Sequence, residues 1–191
     1  MNNIYFKLEE ILNEDISTYE ISKVSGSPAL PTDFLEKHNL ENDLFVMQIN
    51  LTEISKYNKL LPSNGMIYIF LDVESFPYIP KVIYTTEEIT TVYDDINEGF
   101  EDYTKVNGYK LKVTNSLDDG HYLFGEVDVD LDIEQEFDIT GYKVLLSIDS
   151  LNLPYGVLRL GSPDNWYIFL IKEDDLINKD FSKVKFIDFG S

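Results

Sequence analysis

Five carboxylates, Asp128, Asp130, Asp132, Glu134 and Glu136, alternate with Val127, Val129, Leu131 and Ile133. Successive side chains of an extended strand point to opposite faces, so the acids would share one face and the apolar groups the other. A row of this kind could ligate calcium. The EF-hand loop, however, needs glycine at its sixth position, and Ile133 stands there. Without a cation the carboxylates repel one another. The row therefore reads as a solvated strand face or as a docking face for a basic protein, with Asp128, Asp130, Asp132 and Glu134 as contacts and no metal. His121 has the right chemistry for a general base near neutral pH, but the G-x-S-x-G elbow that would supply a nucleophile does not occur. Two histidines in all exclude a His-rich metal site. The bland role for His121 is structural, at a turn. Arg159 and Trp166 are the only residues of their kinds. Both types are enriched in binding hot spots, although an arginine in so acidic a chain would ordinarily pair with a carboxylate such as Asp164. The ten glycines never form G-x-G, so phosphate-cradling loops are absent. No catalytic residue and no cofactor is expected.

Charge narrows the partners. Fifteen basic against 35 acidic residues give a net charge of −20 over 191 residues. A phosphate backbone is bound by neutralising it with Lys and Arg, so nucleic acid is excluded, and an anionic membrane surface for the same reason. A cationic protein would be steered inward. Residues 94–138 hold 14 acidic and 3 basic residues and so concentrate the field. No cysteine is present, which removes disulfides, thiolate catalysis and Cys-ligated zinc. Residues 1–10 lack an apolar signal core, and no apolar run approaches the roughly 20 residues of a membrane span. A cytoplasmic protein is the expectation.

The elements that would position these groups can be read along the chain. Ile4, Leu8, Ile11 and Leu12 recur at helical spacing and predict a short amphipathic helix that covers a sheet. Gly26, Pro28 and Pro31 predict an extended, turn-rich lead-in over 21–34. Strands are expected at 45–49, 66–71, 82–84 and 109–113. Asn50, with Glu53 three positions on, predicts a capping box and a helix to about 57. Residues 86–103 read as helix or irregular. Asp118-Asp119-Gly120 is a hairpin turn signal. A repeat runs through the chain: Gln48-Ile49-Asn50 matches Ser147-Ile148-Asp149, and Tyr68-Ile69-Phe70-Leu71 matches Tyr167-Ile168-Phe169-Leu170, both 99 positions on. Lys81-Val82-Ile83-Tyr84 echoes Lys183-Val184-Lys185-Phe186, 102 positions on. Between the strands of the second copy, Pro154, Gly156, Gly161 and Pro163 replace the short helix, and a helical turn and a closing strand come after it. The fold class expected is α+β in one domain, 1–191: a predominantly antiparallel sheet with a few short helices and an internal duplication sharing one core. Its units are about 44–86 and 143–191, with an acidic insert at about 94–138.

Several segments together resemble the YwqG-like family, bacterial proteins built around a domain of unknown function. Ser22-Lys23-Val24-Ser25-Gly26-Ser27-Pro28-Ala29-Leu30-Pro31 is similar to its S-K-x-G-G-x-P-x-L-P segment, and Phe45-Val46-Met47-Gln48-Ile49-Asn50-Leu51 to its F-x-x-Q-I-N-L strand. Leu61-Pro62 with Gly65 matches an L-P-x-x-G turn, and Gly120-His121-Tyr122-Leu123-Phe124-Gly125 a G-H-x-L-x-G segment. Residues 145–150 resemble L-L-Q-I-D-S, with Ser147 in place of the glutamine, and 172–181 resemble K-E-D-L-x-x-x-D-F. The resemblance implies an α+β, antiparallel, duplicated fold and brings no catalytic residue or cofactor. Some relatives are suspected of neutralising toxins. Two functions are expected on these grounds. The first is a non-enzymatic binding protein of the immunity type, engaging a basic toxin through 94–138. The alternative is a small-molecule or peptide binder, or an unrecognised hydrolase, with a cleft between the copies near Tyr68, His121, Arg159 and Trp166.

Overall fold

Ile4, Phe6 and Leu8 alternate with Tyr5, Lys7 and Glu9, and this period of two prevails over the helical spacing that Ile4 shares with Leu8 and Ile11. In the computed structural model, which describes residues 3–12, 19–94, 96–104, 107–115, 120–127, 137–161 and 164–190, Ile4–Glu10 is strand β1 and not a covering helix. The reason is long-range. The segment lies at the middle of a sheet, paired on one edge with β8 (Tyr109–Val113) and on the other with β9 (His121–Gly125). β9 pairs with Ile4, Tyr5 and Phe6 and β8 with Phe6 through Glu10, so every residue of the strand lies in at least one ladder, which gives its backbone polar groups partners that an isolated segment lacks.

The remaining strands are β2 (Lys23–Val24), β3 (Ala29–Leu30), β4 (Leu44–Asn50), β5 (Met66–Asp72), β6 (Ile79–Thr85), β7 (Thr91–Val92), β10 (Tyr142–Asp149), β11 (Asn165–Lys172) and β12 (Lys185–Gly190). Among the described residues, three short helices, α1 (Phe34–His38), α2 (Leu51–Ile54) and α3 (Glu173–Ile177), join them. The class is thus α+β and mostly antiparallel. Ten strands form one sheet in the order β12-β11-β10-β9-β1-β8-β2-β4-β5-β6, while β3 and β7 pair separately. The sheet curls until its edges face each other, with the Tyr78 ring 6.2 Å from Phe186 and the Tyr84 ring 6.1 Å from Phe181. It is a nearly closed barrel whose interior is packed by Phe6, Met47, Ile69, Leu146, Phe169 and their neighbours. Two smaller clusters lie on the outer face. One, around Phe34, Phe45, Tyr68 and Phe70, is covered by residues of the lead-in and of 89–96. The other is built on Tyr122, Val144, Ile168 and Leu170.

β4, β5, β10 and β11 are therefore covered on both faces, as the uninterrupted apolar run 66–71 predicts for β5. Asn50 caps α2 by accepting from the Thr52 N–H at 2.9 Å. The capping box is half made, because Glu53 turns away to accept from the Ser22 N–H at 2.8 Å. Asp118 and Asp119 of the expected hairpin turn lie outside the described residues; the strands before and after them, β8 and β9, do not pair with each other, since β1 runs between them. The stretch 94–138 thus supplies two strands to the centre of the sheet.

Gln48 and Ser147 occupy corresponding places in β4 and β10, each three residues past a register shift. Gln48 accepts from the Ala29 N–H and donates to the carbonyls of Tyr19 and Ile21, which straps the lead-in to the sheet. Ser147 is fully buried, and its hydroxyl has no hydrogen-bond partner. A buried hydroxyl without a partner carries its desolvation cost uncompensated. Ser147→Ala is therefore expected to leave stability unchanged or raise it by about 1 kcal/mol. A urea midpoint that falls in the variant would contradict this.

Candidate functional site

The outer cover of the first half carries a groove of about 700 Å³. Its walls come from α1, the turn after it, and the segment just beyond β7. Asn39, at φ 54, ends α1 and directs the chain to Glu41. Asparagine tolerates this left-handed conformation better than most residues. The opposite wall is anchored by a side chain. Phe45 pairs with Phe70 of β5 just before the register shift, β2 on the other edge pairs only with Met47 and Gln48, and buried Asn97 accepts from the Phe45 N–H at 3.1 Å. That contact fixes Ile96 and Glu98, on either side of it. β7 is held to the lead-in, with Thr90 N–H donating to the Leu30 carbonyl and Tyr93 N–H to the Pro28 carbonyl, both at 3.1 Å. Leu35, Val92 and Ile96 give the groove an apolar floor, and Glu41, Asp94 and Glu98 line its rim. All three carboxylates are exposed, and none has a hydrogen bond or an ion pair among the described residues. The segment 86–104 contains seven acidic residues and no basic one. This charge run is the signal that the sequence carries for the groove.

The four residues expected to share a cleft are separated. Tyr68 is buried under the lead-in and donates its hydroxyl to the Ala29 carbonyl; burial pushes the phenol far above its ordinary pKa, so it stays protonated. His121 points into the barrel against Phe6, with ring centres 5.5 Å apart, and its Nδ1 accepts from the Asp149 N–H at 3.2 Å. Trp166 is half-buried at the edge of the second outer cluster. Arg159 lines a cavity of about 340 Å³ beneath the connection from β10 to β11. Arg159 is exposed and forms no ion pair with Asp164; its guanidinium lies 4.7 Å from the centre of the Tyr155 ring. Asp128, Asp130, Asp132 and Glu134 lie outside the described residues. Among the described residues, no cluster of three or more acidic or histidine side chains is placed to hold a metal ion, and no helix is long and apolar enough to cross a membrane.

The cavity owes its shape to the connection. Asp149 caps the turn Ser150–Asn152 by accepting from the Leu151 N–H at 3.0 Å. Leu158 sits at φ 48, a conformation that costs a side chain with a Cβ roughly 1–2 kcal/mol. It is held there because Val157, Leu158 and Leu160 all fill the end of the barrel. Arg159 N–H donates to the Tyr103 carbonyl at 2.6 Å, and Leu160 N–H to the Tyr167 hydroxyl at 3.2 Å. With its neighbours turned inward and its backbone tied on both sides, Arg159 projects outward.

No family model and no curated protein matches the chain.

Proposed function

We propose that this chain is a YwqG-like, non-enzymatic binding protein of the cytoplasm that docks a basic protein, in the manner of an immunity protein that neutralises a toxin. The observation that carries the reading is the groove rimmed by Glu41, Asp94 and Glu98: an apolar floor with unpaired carboxylates around it. An apolar centre with a charged rim is how protein interfaces are commonly built. The acid-only segment 86–104 would speed the approach of a cationic partner.

The scaffold, on the same reading, is an internal duplication in which β1, β2, β4, β5 and β6 correspond to β8, β9, β10, β11 and β12. Four particulars support it. β4 and β10 shift register at corresponding positions, after Phe45 and after Val144. Asn50 and Asp149, 99 positions apart, both cap the turn that comes next. The Asn50 N–H donates to the Ser22 hydroxyl and the Asp149 N–H to His121, which gives His121 the structural task of Ser22. Ser25 and Phe124, again 99 apart, both adopt positive φ, at 54 and 48, a conformation rare enough outside glycine for its recurrence to count. The second strands are out of phase with the sequence match. Gln48 pairs with Tyr68 but Ser147 with Ile168, so Tyr68 corresponds to Ile168 and not to Tyr167. One residue of slip exchanges the two faces of a strand, and Tyr167 accordingly faces the barrel interior while Tyr68 faces out.

Capture from host lysate at low salt should return a basic protein, and the triple variant Glu41→Gln, Asp94→Asn, Glu98→Gln should bind it at least about tenfold more weakly, mainly through slower association. Co-expression with the captured protein should relieve any growth arrest that protein causes. An unimpaired triple variant, or a captured partner that is acidic, counts against the groove.

A further inference from the structure

The cavity below the β10–β11 connection is a second place where this protein can hold a ligand, and its chemistry is opposite to that of the groove. In the first half, the corresponding connection between β4 and β5 is closed by α2 and the chain just after it, with Leu51, Ile54 and Leu61 buried in the core. In the second half, Pro154, Gly156 and Gly161 stand in the connection, and a cavity of about 340 Å³ opens between it and Tyr167. This volume is at the small end of the range for ligand pockets. Leu153, Pro154 and Val157 make much of its wall apolar, and the Tyr155 ring stands at the side.

Among the described residues that line this cavity, the one strong cation is Arg159. The chain has 35 acidic residues and one arginine, and yet no carboxylate among the described residues pairs with that arginine. Its guanidinium lies over the Tyr155 ring, and the residue is exposed and lines the cavity. A guanidinium presents parallel donors that match the two oxygens of a carboxylate. The tyrosine face beneath it orients the planar group. The net charge of −20 disfavours a dianion more than a monoanion. We propose that this cavity binds a small organic carboxylate with a flat apolar body, the carboxylate on Arg159 and the body against Tyr155 and the apolar wall. No residue of the acidic groove takes part, so either site can fail without the other.

The test is a titration of the intact protein with phenylacetate and 3-phenylpropionate, each set beside its uncharged amide, monitored by amide chemical shifts. The carboxylates are expected to saturate with Kd near or below about 1 mM. Shifts should be centred on 153–161, and the amides should bind at least about tenfold more weakly. Arg159→Ala should abolish the difference between acid and amide. Arg159→Lys should keep only part of it, because an ammonium lacks the paired donors. Both variants should melt with the wild type, since the guanidinium is exposed. Equal binding of acid and amide, an unchanged Arg159→Ala, or no saturation by either acid up to about 10 mM would overturn the proposal. Tighter binding of phenyl phosphate than of phenylacetate would overturn the carboxylate assignment.

Discussion

Phe6→Ala is expected to lower the free energy of unfolding by roughly 3–5 kcal/mol, the range for deleting a buried aromatic ring. Phe6 is 1% exposed inside the barrel and packs on His121. It belongs to the strand that joins β8 to β9, so the void would open where the two halves of the sheet meet. Domains of this size are stable by about 5–15 kcal/mol, and the variant should therefore be close to unfolding at ambient temperature. Tyr5→Ala, on the other face of the same strand and only partly buried, is expected to cost less than half as much. Urea unfolding of the two variants distinguishes a central strand from a covering helix. Equal, small losses would mean that Ile4–Glu10 is peripheral.

The second large effect concerns the same strand. If the chain is divided between residues 104 and 107, neither part should fold alone, and the two mixed should recover the native sheet. The first part carries β1, whose partners β8 and β9 lie in the second part; the second carries β8, whose two partners, β1 and β2, both lie in the first. Each fragment alone would expose a long unpaired edge and half of one core, an arrangement that favours association. Far-ultraviolet circular dichroism should show cooperative melting only for the mixture, with a midpoint that rises with concentration, as expected when folding is linked to binding. Cooperative melting of either fragment by itself would refute the interleaving.

Local chemistry made part of this molecule legible in advance. Residues 66–71 are apolar without interruption, and such a run is a strand covered on both sides; 45–51, 144–150 and 165–171 are largely apolar, broken by Gln48, Asn50, Ser147, Asp149, Ser150 and Asn165, and are strands for most of their length. Asn50 announces the cap at the end of β4, and Gly26, Pro28 and Pro31 the extended lead-in. Each of these depends on side chains within a few positions of one another. The candidate sites were less legible. Arg159 drew attention as a singular residue and does line a cavity, whereas Tyr68, His121 and Trp166 are each engaged elsewhere. The acids of 86–104 stood out only as charge, because nothing local reveals that Leu35 and Ile96 meet to make a floor between them.

What the amino-acid sequence determined by itself is the set of strands whose burial is written in their own composition, together with the charge. The tertiary structure alone decided that Ile4–Glu10 is a strand, that β1 separates β8 from β9, and that Tyr68 and Tyr167 face opposite sides of the sheet. The division has a physical cause. Periodicity and capping are short-range, whereas a strand in a sheet is completed by hydrogen bonds to segments a hundred residues away, and its register is set by packing that no local window contains.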